Sequence, residues 1–294
     1  MDVMGGGERQ LLSYANHLKQ LGIQADLYDM WNTNLRDYDI FHCFSIMPGT
    51  TDMCSYAKNH TGLTFLLSPN LWITEATKSN YSFSMIFNSL QLADWVIVNS
   101  DAEAKEISSV FDLPMNKFYT IYNGAEIDFL TPGDPKLFKT RYNLNRPYVL
   151  NVANIEPRKN QLEFIKALNF KQPEMDFVIV GGVRDSEYAK KCMTEGGSRL
   201  KLVGTLPYSS EMMRSAYSGC TFFAMPSLLE TPSIAAIEAA VSGARILITK
   251  EGSTQEYFKD SVIYVDPFSQ ASLQNGIMQA LEAQADHSTH GLIH

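Results

Sequence analysis

Two glutamates separated by seven residues, Glu230 and Glu238, have the chemistry to hold a hydroxyl-rich, phosphorylated ligand. They lie in the run PSLLETPSIAAIEAAVSG at 226–243. Thr231 followed by Pro232 reads as an N-cap and first helical residue, and Gly243 as the stop. Glu230 is then expected in the loop before the helix and Glu238 about two turns inside it, ~12 Å or less away at ~1.5 Å rise per residue. The N–H groups of Ser233 and Ile234 are expected to point out of the helix start, where the helix dipole favours an anion. Carboxylates bind hydroxyls and the helix start seats a phosphate, a combination that suits a sugar nucleotide. The helix is otherwise apolar (Ile234, Ala235, Ile237, Ala239, Ala240, Val241), so Glu238 is a carboxylate in a buried element, which is costly unless it is partnered.

The elements that position these groups follow from pattern. At 294 residues the chain is long for one core and suits two domains. Short β-rich runs alternate with helical segments, which points to two doubly wound parallel α/β sheets. In the first half the expected strands are 24–29, 39–43, 63–67, 94–98 and 118–121, with helices at 7–21, 78–92 and 101–110. Turn chemistry at Thr131-Pro-Gly-Asp-Pro135 marks a linker near 131–146. The domains are therefore expected at 1–140 and 146–294. In the second half the expected strands are 147–153, 176–181, 199–203, 220–225, 245–249 and 261–265. The helices between and after them are expected at 159–169, 185–195, 209–218, 232–242 and 270–284. Two such domains are expected to face one another across a cleft, the usual ligand site of these sheets.

Composition narrows the partners. Net charge is −8, which argues against nucleic acid and against purely electrostatic membrane docking. Residues 1–145 carry 10 Lys and Arg against 16 Asp and Glu, while 146–294 carry 14 against 16, so an anionic ligand should find its cations in the second half. Cys43, Cys54, Cys192 and Cys220 have no metal-ligand spacing and read as reduced packing thiols of a cytoplasmic protein. No Asp-x-Asp or His/Asp cluster marks a metal site, so neither a metal nor another cofactor is expected. The opening GGGER (5–9) reads as a glycine-rich loop starting a helix, a turn that lets backbone approach a phosphate. The dinucleotide fingerprint is incomplete, because Gln10 stands at its third glycine.

In this order the pieces resemble the retaining glycosyltransferases of the GT-B fold, in the family-4 (glycosyl transferases group 1) type. The likeness rests on GGGERQLL (5–12), LTFLLSPNLW (63–72), ADWVIVNSDAEAKEI (93–107) and FYTIYNGAEIDFLTPGD (118–134). It continues through VANIEPRKNQLEFIKAL (152–168), FVIVGG (177–182), the run at 202–243 and STQEYFKDSVIYVDP (253–267). The resemblance implies that Lys159 neutralises the donor diphosphate, that Glu230 holds donor-sugar hydroxyls at the reacting centre, and that Glu238 binds ribose hydroxyls. It further implies that Thr231, Pro232 and Ser233 line the diphosphate seat, with Gly6 and Gly7 closing on it from the other domain. The implied reaction moves a hexose-like sugar from a nucleotide diphosphate sugar to a glycan, lipid-linked or small-molecule acceptor. Configuration is retained, neither glutamate need be a covalent nucleophile, and no metal takes part.

Three departures stand out. Asn154 replaces a diphosphate-binding arginine, with Arg158 next to Lys159 as a substitute. Leu67-Ser68-Pro69 stands where relatives place a histidine; His42 and His60 are not candidates to replace it. The strand before the glycine loop and the family's last crossover helix, beyond about residue 285, are expected to be missing. Asn154 and the short ends favour an alternative, a non-catalytic sugar-nucleotide binder or a subunit of a glycosyltransferase complex; a GT-B-shaped epimerase is a further one. The expected location is the cytoplasm, with peripheral association at the inner membrane face left open; Leu71, Trp72 and Ile73 fit either contact with a lipid carrier or, more readily, core packing.

Overall fold

Parallel sheets covered on both faces need nearly continuous apolar strands, and WVIV (95–98), YVLNV (148–152) and DFVIV (176–180) have that character. The computed structural model describes residues 5–47, 49–171 and 174–282. It divides into two units, Met1–Asn123 and Gly124–His294. The expectations about a missing first strand and last helix fall on 1–4 and 283–294, outside the described residues.

The first unit runs α1 (Gly6–Gln20), β1 (Ile40–Phe44), α2 (Thr50–Thr61), β2 (Thr64–Ser68), α3 (Phe83–Leu92), β3 (Trp95–Val98), α4 (Asp101–Phe111) and β4 (Phe118–Thr120). Its strands form one parallel sheet in the order β1-β2-β3-β4, with Phe41 opposite Phe65 and Val96 opposite Phe118. Phe65, Leu67, Val96, Leu90 and Ile107 are fully buried between sheet and helices. The run 24–29, expected as a strand, is not one, and its Leu27 and Tyr28 are exposed. A strand needs a neighbour to hydrogen-bond with, and no ladder partner is recorded for this run among the described residues. Ile73 is fully buried and Leu71 packs against the same core, so core packing accounts for these two. Among the described residues no helix is long and apolar enough to cross a membrane.

The second unit begins earlier than 146. Phe129 and Phe138 are fully buried in its core with Leu144, and α5 (Pro135–Arg141) packs on α8 (Glu211–Gly219). The turn chemistry near 131 therefore bends the chain within this unit rather than linking two units. Asp134 caps α5, its carboxylate accepting from Lys136 N. The alternation then continues with β5 (Tyr148–Val152), α6 (Gln161–Lys171), β6 (Asp176–Val180), α7 (Ser186–Gly196), β7 (Leu200–Gly204), α8 and β8 (Phe222–Met225). It ends with α9 (Ile234–Val241), β9 (Ile246–Thr249), α10 (Thr254–Phe258), β10 (Ile263–Val265) and α11 (Gln270–Glu282). All six strands are parallel, in the order β10-β9-β8-β5-β6-β7. From β5 the chain winds outward through β6 and β7, then returns to β8 on the other flank of β5 and winds the opposite way. The reversal falls between β5 and β8, and the carboxyl ends of strands at such a switch point are where open parallel sheets bind ligands.

Candidate functional site

The residues leaving β5 and β8 meet at that reversal. After β5 the loop is tied down by Gln161, whose Nε2 donates to Asn154 O at 3.0 Å, and by Gly182 N donating to Asn154 Oδ1 at 3.1 Å. Asn154 thus joins two strand-end loops, a role its neutral carboxamide suits. A single 3₁₀ turn, Pro157–Lys159, then brings up two cations. Leu228 N donates to Arg158 O at 2.9 Å, which laces this turn to the loop after β8. Lys159 Nζ donates to Glu230 Oε1 at 2.6 Å, with both side chains largely withdrawn from water (13% and 6% exposed). Arg158 lies half outside, donating to Leu229 O at 3.3 Å, with one guanidinium nitrogen 3.2 Å from Glu156 and another 4.0 Å from Glu230.

Burial pushes the Glu230 carboxyl up, but Lys159 and then Arg158 outweigh it and hold it below the ordinary carboxylate value. Its backbone is fixed as well. Glu230 N donates to Glu251 O, Ser253 N donates to Glu230 O, and Glu230 forms a parallel bridge with Gly252. Gly252 has φ +94°, and a Cβ there would lie 2.1 Å from Glu230 O. Only glycine allows this approach.

The helix after Glu230 starts later than expected. Ser233 is the N-cap, its hydroxyl accepting from Ala236 N at 3.3 Å, and α9 begins at Ile234. Thr231 and Pro232 belong to the loop. Glu230 is held extended by its bridge, and a residue before proline is kept out of helical backbone, so the turn is delayed to Ser233. Glu238 is consequently the fifth residue of α9, little more than one turn in. It is fully buried, and its Oε2 accepts from Tyr217 OH on α8 at 2.8 Å. The structure thus brings Arg158, Lys159 and Glu230 together, whereas Asn154 serves the loop and Glu238 faces Tyr217.

Gly6 and Gly7 lie in the first unit. Gly5 is the N-cap of α1, and its N–H donates to Glu8 Oε2 at 2.9 Å, so the helix start is met by its own carboxylate. Beside it runs a chain of carboxamides that sequence reasoning missed. Gln10 Nε2 donates to Asn99 Oδ1 at 2.6 Å and to Asn123 Oδ1 at 2.9 Å; Asn123 Nδ2 donates to Asn99 Oδ1 at 3.2 Å; Asn99 Nδ2 donates to Asn70 Oδ1 at 3.0 Å. The signal was in the sequence: a carboxamide follows each of the runs TFLLSP, WVIV and YTIY. His42 Nε2 lies 2.9 Å from Ser68 Oγ, and burial pushes its pKa down to about 4, so the ring is neutral at physiological pH.

The family described as Glycosyl transferases group 1 matches residues 134–290. The D-inositol 3-phosphate glycosyltransferase of Mycobacterium sp. (strain JLS) is 25% identical over 239 residues, 76% of this chain and 54% of the relative. The enzyme of the same description from Mycolicibacterium smegmatis is 25% identical over 177 residues, 58% of this chain and 41% of the relative. The chain thus spans about half the length of the curated relatives it matches. Among solved structures, Anabaena Alr3699/HepE in complex with UDP-glucose superposes with a TM-score of 0.74 at 18% identity, covering 93% of this chain and 80% of that one. Sucrose-phosphate synthase from Thermosynechococcus elongatus gives 0.69 at 18% identity, covering 95% and 69%. The structural likeness shows the fold, GT-B, built from two Rossmann-like α/β units.

Proposed function

The chain belongs to the glycosyl transferases group 1 family, and on that premise we propose that it transfers a sugar from a nucleotide diphosphate sugar to a hydroxyl-bearing acceptor. One observation carries the reading: the Lys159–Glu230 pair sits at the strand reversal of the second unit, 2.6 Å apart and largely dry. A diphosphate arriving there takes over the Lys159 charge. Glu230, kept ionised by its cations, then turns its oxygens to the hydroxyls of the transferred sugar. Both charges are already desolvated before the donor arrives, so the exchange of partners needs little reorganisation.

As the sugar–phosphate bond breaks, the electron pair leaves with the diphosphate, and Lys159, Arg158 and the first N–H groups of α9 meet the growing charge. These two side chains supply the positive charge that a divalent metal would otherwise bring, and no metal takes part. The acceptor hydroxyl attacks from the face the diphosphate leaves, which retains configuration, and passes its proton to the departing phosphate oxygen. Glu238 enters as the ribose ligand, reached once the side chains covering it shift. HepE has been solved with UDP-glucose and with UDP and glucose, so uridine nucleotides are the first donors to try.

The test is thermal stabilisation by a panel of nucleotide diphosphates and their sugars, followed by turnover with the donor that shifts the melting temperature. Saturating donor should add a few kcal/mol of apparent stability, about 2.7 at a hundred times Kd. Glu238→Ala should weaken donor affinity, and Glu230→Ala should lower kcat more than affinity. Unaltered kinetics in both variants would refute the site. Donor binding without transfer to any acceptor would leave the chain a sugar-nucleotide binder.

A further inference from the structure

We propose that Cys43 and Cys54 are a modification site, a dithiol that a two-electron oxidant such as hydrogen peroxide converts to a disulfide fastening α2 to the sheet. This does not rest on the glycosyl-transfer reading. Cys43 is the fourth residue of β1 and Cys54 the fifth of α2. Both belong to the core of the first unit, to which α2 contributes only Cys54 and Ala57 as buried residues. The two thiols are hydrogen-bonded to each other, and Cys43 Sγ also donates to Ser45 O at 3.9 Å.

Contact alone would suit two packing thiols; proton affinity and access divide the pair into two roles. The hydrogen bond between them holds the Cys43 thiol below its ordinary value and pushes the Cys54 thiol up. Cys43 is 7% exposed, whereas Cys54 has no exposed surface. A sulfur that ionises more readily and can be reached, backed by a second sulfur from inside, is the arrangement of a redox-sensing cysteine and its resolving partner. The other cysteines serve as internal controls. Burial pushes Cys192 up to about 11 and Cys220 up to about 12. Neither bonds to a thiol: Cys192 is hydrogen-bonded to Tyr188, and Cys220 Sγ donates to Tyr217 O at 3.1 Å.

The chemistry runs in two steps. The Cys43 thiolate attacks one peroxide oxygen, the O–O bond breaks, and the departing hydroxide takes a proton to leave as water. Cys43 is now a sulfenic acid. Cys54 Sγ then attacks the Cys43 sulfur, the S–O bond breaks, and the second hydroxide leaves as water with the Cys54 proton. Two thiols have lost two electrons and one peroxide has gained them. A dithiol reductant reverses the change, so in a reducing compartment the bond is transient. The bridge closes over the turn between β1 and α2, where Ser45 has φ +69° and its N–H donates to Ser68 O at 2.8 Å. A helix held by few buried side chains is thereby tied covalently to its strand, and the unfolded chain loses loop entropy.

The experiment treats the reduced, folded full chain with hydrogen peroxide, alkylates the remaining thiols and maps the peptides by mass without reduction. One disulfide, Cys43–Cys54, should appear and be reversed by dithiothreitol, with Cys192 and Cys220 alkylated and at least about ten-fold slower to oxidise. Cys54→Ser should stop at the Cys43 sulfenic acid, trapped by dimedone, whereas Cys43→Ser should yield neither; Cys54→Ala and Cys43→Ala replace them if serine prevents folding. The oxidised wild-type chain should melt about 10 °C higher than the reduced one and exchange its α2 amides about ten-fold more slowly. A bridge to Cys192 or Cys220, or between chains, overturns the proposal. So does a bridge that forms only in urea, equal reactivity of all four thiols, no oxidation of the folded chain, or an oxidised chain whose melting and α2 exchange match the reduced one.

Discussion

Lys159 and Glu230 neutralise each other at 2.6 Å in a nearly dry setting, and such a pair is most informative when one member is removed. Lys159→Met keeps the stem and deletes the charge. Burial then acts on Glu230 with Arg158, 4.0 Å away, and the Ser227 hydroxyl left to oppose it. The variant should lose about 3 kcal/mol at pH 7. The pH dependence has a definite sign. Glu230 has a lowered folded-state pKa, so its contribution is complete above the ordinary carboxylate value of 4.5 and is lost as pH falls through the folded value. The gap between wild type and variant should therefore be widest near neutrality and close in acid. Urea denaturation at pH 7 and at pH 4 measures it; an equal gap at both would mean that the ion pair is not what Lys159 contributes.

Elements place those residues, and the loop carrying Gly252 is the most exacting of them. Gly252→Ala would put a methyl 2.1 Å from Glu230 O in a left-handed backbone, with a cost of about 1–3 kcal/mol. The displacement would reach the carboxylate through its own main chain, so kcat should fall by about 10²-fold while the pair's charges remain. A folded variant with wild-type kcat would show that the bridge does not position Glu230. The elements also show where the sequence could be read. β5, β6 and β8 were legible because each is apolar but for at most one residue, Asn151 in β5 and Asp176 in β6, and α4 because Ser100 announces it, accepting from Glu103 N. Helix α2 was missed because Cys54 and Ala57 are its only buried residues, too small and too few to set up a helical period. The α9 start was misread because both Thr231 and Ser233 can cap, and the choice between them is made by the bridge to Gly252, which sequence does not display. Lys159 and Glu230 were legible from motif; the carboxamide chain was not, since it assembles from residues up to 113 positions apart.

At the scale of the molecule, the second unit claims the segment that looked like a linker. Phe129 and Phe138 have no exposed surface, and Tyr142 leans on Phe138 at 4.8 Å between ring centroids. Phe138→Ala should cost about 3–5 kcal/mol. A fragment beginning at Gly124 should unfold cooperatively, whereas one beginning at Arg146 lacks both phenylalanines and should melt far lower or stay unfolded. Differential scanning calorimetry on the two fragments decides it; equal transitions would return 124–145 to the status of a linker.

The reversal about β5 has a consequence for the chain as it is made. β5 ends at Val152, gains β6 by Val180, and waits for β8 until Phe222–Met225 is synthesised. At ribosomal speeds of about 5–20 residues per second, that flank stays bare for roughly 4–15 s. During that interval a largely apolar strand offers an unpaired edge to anything nearby, so slow codons or a scarce chaperone between 152 and 222 would reduce the yield of native protein without changing any residue of it.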